Sequence, residues 1–460
     1  MSRQAQRFCP GPSRLNVALL GLRLSLFLTL ILALVPVQPG SAWATEASSP
    51  APEPAAFALD AEIRLRGADG RQLDTLEPGL ASRTQGWRQR TRLRATLRRA
   101  ALQAVVQVQS AGMLGAASPG ADPMPLGLQT GYAQAELPWG DATWLRAGRQ
   151  PIEFGAGRQV GLYDFDAIGQ AFDGLRGHFA RGSALEVDVF GLKLRRNPLA
   201  QAGVSAPATS VSEDRALTGA YLVGRPSPLF RADLYFFYLS DRSAQESVRL
   251  LTMGARAVYA PAEFFDLEGE AAVQSGSIGL AGAVEPQSQL AWMAAGQLRL
   301  HRPGPLPMAL RALGQHFSED SQPEDKIRSA WRPLYPSRDQ LVGILQLFVP
   351  SNLQQAGLQG SLELLPASQP LQLALSARYS RAHAGAVLPG LPGNAAAPAV
   401  LSGSGWQPLG WEAEASAQWQ LLKHSKVLLA FAAFVPTAQL QGNRQLDTAL
   451  MGLLQWTTAL

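Results

Sequence analysis

Cysteine is all but missing from this 460-residue chain, with Cys9 the only one. Lysine is nearly as rare: Lys193, Lys326, Lys423 and Lys426 are the full set, so the positive charge is almost all arginine. Charged residues make up only 16% of the sequence, against 47% hydrophobic. Past the first 44 residues no apolar run reaches the 18 or so residues that mark a transmembrane helix. The histidines, His178, His301, His316, His383 and His424, form no H-E-x-x-H pair. Neither a phosphate loop nor a G-x-S-x-G elbow occurs.

Each absence excludes something. Once Cys9 is removed with the leader described next, no disulfide, thiolate nucleophile or cysteine-metal site remains. The hydrophobic fraction excludes intrinsic disorder, and 44 Gly with 33 Pro are too many for a helical bundle. Without a spanning helix, a closed β-barrel is the one remaining way to cross a membrane, because it too satisfies every backbone group internally.

Residues 1–44 read as a secretory signal peptide. Arg3, Arg7, Arg14 and Arg23 form a basic start, Leu24 to Val37 an apolar core, and Ala42 and Ala44 a small-x-small cleavage site. The segment holds four arginines and no acid, so its removal takes the formal charge from +5 to +1. A chain that close to neutral lacks the broad basic surface that nucleic-acid phosphates need. Residues 45–56, rich in Pro, Ala and Ser, read as a flexible leader, and 57–460 as one domain.

That domain is dominated by period-two alternation, the signature of half-buried strands. Phe57, Leu59, Ala61, Ile63 and Leu65 alternate with Asp60, Glu62, Arg64 and Arg66. Arg88, Arg90, Arg92, Arg94 and Arg98 alternate with Trp87, Leu93 and Leu97. The pattern returns at Asp266, Glu268 and Glu270, at Gln372, Ser376 and Arg378, and at Glu412 and Glu414. About 16–18 such segments of roughly 9–13 residues fit the length of a tilted membrane-crossing strand. Short connectors at Pro138–Asp141, Arg181–Ser183 and Pro261–Glu263 contrast with long ones at Gly112–Pro125, Pro198–Glu213, Ser318–Arg338 and Ala382–Gln407. That asymmetry belongs to outer-membrane barrels. Tryptophans near segment ends (Trp139, Trp144, Trp331, Trp406, Trp411, Trp419 and Trp456) suit the two membrane interfaces. The expected fold is all-β, a single transmembrane antiparallel β-barrel in the bacterial outer membrane.

In such a barrel the apolar row faces lipid and the polar row faces the lumen. Alternate arginines from Arg88 to Arg94 would stand about 7 Å apart on one strand face. Such a row repels itself unless something negative stands opposite. One reading pairs it with Asp60, Glu62 and Glu136 as a wall network. The other makes it a ladder of sites for a passing polyanion. Glu319, Asp320, Glu324 and Asp325 share one connector and read as a solvated loop in preference to a Ca²⁺ site. The residues point to no enzyme, cofactor or metal.

The stretch Leu145 to Phe179 (LRAGRQPIEFGAGRQVGLYDFDAIGQAFDGLRGHF) resembles the alginate export family of outer-membrane β-barrels. The resemblance rests on Gly148-Arg149-Gln150, on Phe154-Gly155 with Gly157-Arg158, and on Phe172-Asp173-Gly174 with Arg176. Trp331 to Gln354 and Leu409 to Pro436 add weaker matches in the same order. It implies one barrel of about 18 strands, with an aqueous lumen that passes an acidic polysaccharide without catalysis. It also implies pathway roles for Arg149, Arg158, Asp173 and Arg176, beside the Arg88, Arg90, Arg92 and Arg94 row. The partners expected are an anionic polysaccharide, outer-membrane lipid with lipopolysaccharide, and periplasmic export scaffold proteins. A general anion-preferring porin and a plugged structural or adhesive barrel are the alternatives.

Overall fold

The computed structural model describes residues 56–71, 83–114, 124–193, 215–242, 246–280, 286–322, 325–364, 368–384, 404–437 and 447–459. The expected signal segment 1–44, and all but the last residue of the leader 45–56, lie outside them. In chain order the elements begin with β1 (Ala56–Arg71), β2 (Arg83–Arg99), β3 (Leu102–Leu114), β4 (Met124–Leu137), β5 (Thr143–Gln150) and β6 (Phe172–Arg181). They continue with β7 (Leu185–Lys193), β8 (Arg215–Ser227), β9 (Phe230–Arg242), β10 (Glu246–Ala262), β11 (Phe265–Leu280) and β12 (Gln287–Arg302). Then come β13 (Met308–Phe317), β14 (Ile327–Arg328), the short helix α1 (Arg338–Val342), β15 (Leu353–Leu364) and β16 (Leu371–His383). The last three are β17 (Trp406–Leu422), β18 (Ser425–Pro436) and β19 (Ala449–Ala459).

β14 is a two-residue parallel pairing with β12 inside a loop; the other 18 strands form one antiparallel ring. Closure is made by β1, which pairs with β2 on one side and with β19 on the other, from Glu62 opposite Ala459 to Arg71 opposite Leu450. A closed ring leaves no unpaired strand edge, which is the condition for β-structure in lipid. Among the described residues no helix is long and apolar enough to cross a membrane. The alternation expected from the sequence sorts the two faces. Leu59, Leu93, Leu97, Leu358, Leu375 and Phe431 are exposed on the outside. On the opposite parity, Arg64, Arg90, Gln355 and Glu412 are buried on the inside.

One end of the barrel carries short turns, such as Ala100–Ala101 and Lys423–His424; the other carries the long connections. Two of the long ones fold into the lumen instead of standing above it. The first, 151–171, was not expected as a loop from the sequence. The second begins at Ser318 as expected but runs on to Asn352, past the anticipated end at Arg338. They pair with each other through Gly161 N to Tyr335 O (2.9 Å), Tyr335 N to Gln159 O (2.8 Å) and Ser337 N to Gly157 O (3.0 Å). Two glycines of the first loop, Gly155 (φ 59°) and Gly157 (φ 68°), take the left-handed conformation that turns it. A Cβ on Gly155 would lie 2.6 Å from the Tyr221 hydroxyl.

The tryptophan expectation needs a correction. Trp139 and Trp411 are exposed, but Trp331 is buried within the second loop and Trp144 stacks on His178 inside the barrel. Those two rings fill the interior and do not sit in a membrane interface.

Candidate functional site

The first loop crosses the lumen between two walls of opposite charge. At one wall β1 and β2 set Glu62, Arg64 and Arg66 beside Arg92, Arg90 and Arg88 in strict register. The loop meets them with Tyr163-Asp164-Phe165-Asp166. Arg64 donates to the carbonyl of Asp164 (2.7 Å) and also to that of Asp166, and Arg66 donates to that of Phe165 (2.6 Å). Arg66 also lies over the Phe165 ring, 4.2 Å from its centroid, a cation–π contact. Arg90 is shared between Glu62 (2.6 Å) and the Asp164 carboxylate (3.0 Å), and Arg92 reaches Asp164 at 2.8 Å and Gln109 at 2.6 Å. Burial alone would raise the Asp164 carboxyl; Arg90 and Arg92 outweigh it and hold Asp164 below the usual aspartate range. Tyr163 turns the chain toward this wall at φ 48°, and burial pushes its hydroxyl up to about 12.

Only the middle of the arginine row is therefore occupied. Arg88 and Arg94 are exposed and have no hydrogen-bond or ion-pair partner among the described residues. Arg92 and Arg94 line a lumenal cavity of about 280 Å³, whose other walls are Gln107, Thr130, Tyr132 and the loop residues Asp164 and Gln170.

At the opposite wall the acids dominate. Arg158, in the same loop, places one guanidinium nitrogen between Glu268 (2.6 Å) and Glu270 (2.8 Å) on β11. Glu268 also takes Arg256 (3.0 Å) and Arg299 (3.3 Å), Arg256 reaches Asp233 (2.8 Å), and the Tyr235 hydroxyl donates to Glu270 (2.9 Å). Burial works against the Arg158 charge, yet Glu270 and Glu268 hold its proton more tightly than usual. The second loop completes the crossing. Gln315 Nε2 donates to Leu341 O, Gln274 to Arg332 O, and the amide of Ile344 to Glu414 on β17. A further lumenal cavity of about 300 Å³ lies against Arg299, Arg311, Gln359, Ser416 and Gln418.

The four motif residues separate. Arg158 is in the lumen, as just described. Arg176 is also inward, donating to Asp188 at 2.7 Å, with its guanidinium 5.3 Å from the centroids of the Phe154 and Trp144 rings. Arg149 and Asp173 point the other way. They form a two-pronged pair with each other (both contacts 2.7 Å) on the face that carries the exposed Leu145 and Leu175. Strand alternation forces the split, because Asp173 and Arg176 are three residues apart on β6. Arg149 and Asp173 are thus a feature of the outer wall and no part of the lumen lining.

Several lumen residues were not singled out from the sequence. Asp164 sits in a Y-D-F-D run that alternation does not flag. Arg146, with its guanidinium 4.1 Å from the Tyr132 ring and 4.5 Å from the Trp144 ring, is inward by the same parity as Arg176's partner strand would have indicated.

Eighteen antiparallel strands closed on themselves, apolar outside and charged within, define an outer-membrane β-barrel channel. Comparison with known proteins agrees. The sequence profile of the alginate export family matches residues 56–447, most of the chain, and the protein belongs to that family. Its fold is similar to several crystal structures, among them the outer membrane protein OpdK and OccK11 (OpdR), both from Pseudomonas aeruginosa. OpdK superposes with a TM-score of 0.55 at 12% identity, covering 88% of this chain and 99% of that one. OccK11 (OpdR) gives 0.52 at 13%, covering 88% and 96%. A variant of OccD1 (OprD) gives 0.53 at 11%, covering 88% and 95%. No curated protein matches the sequence.

Proposed function

We propose that this channel passes an anionic, uronate-containing polysaccharide across the outer membrane by diffusion, with no catalytic step. The observation that carries the reading is the unequal use of the arginine row. Arg90 and Arg92 are spent on Asp164, while Arg88 and Arg94 remain unpaired on the lumen side, Arg94 against an open cavity. A guanidinium keeps its charge in a confined space and offers a planar fork to carboxylates. Spaced single cations attract a polyanion without trapping it, because each site is weak and the next is near. Arg146 extends the basic surface along the wall, whereas Arg176 is already held by Asp188, and Arg158 serves the pathway indirectly, by holding the loop that narrows it.

The test is a planar-bilayer recording on the purified protein. An anion-selective current that falls on addition of oligouronate supports the proposal, while an anion-selective current that oligouronate leaves unchanged indicates a general porin. The two lumenal loops that join through Tyr335 favour one second reading, a plugged barrel of structural or adhesive role. A near-absence of current at all voltages would select it.

A further inference from the structure

The outer wall between β12 and β17 carries a polar belt where a lipid-facing surface should be apolar. His316, Gln354 and Arg381 stand side by side across β13, β15 and β16, in register with Ala294 of β12. Their neighbours Phe317, Leu353 and Ser380 are buried toward the lumen, so these three face out. Gln354 is the connector: its amide nitrogen meets His316 Nδ1 at 2.7 Å, and its oxygen accepts from Arg381 Nε. The imidazole is stacked on Trp292 at 4.1 Å and lies 5.3 Å from Trp406, and its other nitrogen has no partner among the described residues. Arg381 has no acidic partner among them either. With Nε held by Gln354 and the guanidinium 6.0 Å from the Trp406 ring centroid, its two terminal nitrogens have no hydrogen-bond partner among the described residues.

Directly toward the turn end, the next register row is nearly bare. Gly296, Gly314 and Ala356 form a floor, with Trp292 and Tyr379 as walls, around a recess of about 560 Å³. A Cβ built on Gly314 would meet nothing within 4 Å. An arginine facing lipid costs roughly 2–4 kcal/mol at the bilayer midplane and near zero at the interface. The belt accordingly sits one or two residues from the loop-bearing ends of β13, β15 and β16, among the tryptophans that mark an interface. Long loops mark the external side of such barrels.

We propose that this recess docks one molecule of the phosphorylated glycolipid of the outer leaflet, lipopolysaccharide, with a lipid A phosphate on the Arg381 fork and an acyl chain along the Gly296–Gly314–Ala356 floor. Charge complementarity selects the headgroup, because a planar fork with two free nitrogens matches a phosphate. The missing side chains select the tail, because a saturated chain fills a smooth trough that a leucine would otherwise occupy. The proposal does not depend on what passes through the lumen.

The test titrates the full-length protein, folded in detergent micelles, with bisphosphorylated lipid A, its dephosphorylated form, and phosphatidylglycerol. Binding is read by native mass spectrometry and by tryptophan fluorescence, and folding by heat-dependent gel mobility. One saturable lipid A is expected on the native protein, with both competitors at least about tenfold weaker. Arg381→Gln should weaken lipid A binding by at least about tenfold. Gly314→Leu, which fills the floor and leaves Arg381 in place, should do the same. Arg249→Gln, at an exposed outer-wall arginine on β10, should change nothing. Equal binding of the dephosphorylated lipid or of phosphatidylglycerol to the native protein would overturn the proposal without recourse to any variant. So would native-like affinity in folded Arg381→Gln or Gly314→Leu.

Discussion

On the β1–β2 wall Arg64, Arg66, Arg88, Arg90, Arg92 and Arg94 face only Asp60 and Glu62 from the same two strands. On the β9–β12 wall Asp233, Asp266, Glu268 and Glu270 outnumber Arg231, Arg256 and Arg299 by one. One loop is keyed to both: it gives Arg158 to the acidic wall and, six positions later, Asp164 to the basic wall. The difference lies in what is left over. At the acidic wall the charges are buried and matched, so that wall is structural. At the basic wall the loop satisfies the centre of the row and leaves its ends to the lumen, so that wall retains charge to act on a solute.

If the acidic wall is structural, its largest dependence is on Arg158. Arg158→Met leaves Glu268 and Glu270 buried without their shared cation. Breaking a buried pair from one side costs about 3–5 kcal/mol. Arg256 still holds Glu268, so a loss near the lower end, about 3 kcal/mol of loop docking, is expected. Bilayer recordings should show a conductance several-fold above native, and Glu270→Gln in the same chain should recover part of the loss. Native conductance in the folded single variant would mean that the loop is held elsewhere.

Asp164 tests the basic wall from the loop side and should matter less, because its side chain is half exposed. Asp164→Asn keeps the backbone carbonyls on Arg64 and Arg66 and removes the charge between Arg90 and Arg92, a loss of about 1 kcal/mol after solvent screening. The pH dependence follows from the depressed Asp164 carboxyl. Its stabilising contribution is complete above the ordinary aspartate value of about 4 and is lost as the pH falls through the lower folded value. Native current should therefore hold steady from neutral pH down to about pH 4 and rise below it. In Asp164→Asn that acid-induced rise should be absent. A rise beginning near pH 6 would assign the transition to another group.

Arg88 and Arg94 test the surplus itself. Arg88→Gln with Arg94→Gln should leave gel mobility and unfolding midpoint as in the native protein, since neither side chain holds a described partner. The anion-to-cation permeability ratio should drop by about twofold, because two focused charges leave the lumen. Unchanged reversal potentials in salt gradients would show that the unpaired ends of the row do not select ions.

How far this contrast was legible beforehand depended on parity. Period two places Arg90 and Glu268 inside and Leu93 and Leu97 outside, and it extends to 18 strands because each strand repeats the same rule. It also separates Asp173 from Arg176, and the motif that joins them on paper spans both faces of the wall. What parity does not carry is the path of a loop. Residues 151–171 contain no strand signal, and their course is set by contacts far along the chain, Arg158 with Glu270 and Asp164 with Arg90. Nor does parity say which inward charges are already neutralised. That depends on which loop residue arrives opposite, so the pairing of Arg90 and Arg92 emerges only once Asp164 is placed. Trp144 and Trp331 illustrate the same gap, since a ring near a strand end fits a membrane interface and a packed interior equally well.

The smallest effect is expected where the family motif looked most functional. Arg149 and Asp173 share two contacts of 2.7 Å on the outer face, beside Leu145 and Leu175. Replacing both with Gln and Asn removes the two charges together. Partly exposed ion pairs contribute about 0–1 kcal/mol, so the unfolding midpoint should move little and the reversal potential not at all. Replacing Arg149 alone is the sharper version. It takes both guanidinium contacts from the Asp173 carboxylate while keeping the acid beside Leu175, so the single change should destabilise more than the double one while still sparing selectivity. A shift in selectivity from either variant would bring this pair back into the pathway and would erase the distinction between the outer face and the lumenal wall that keeps unpaired charge.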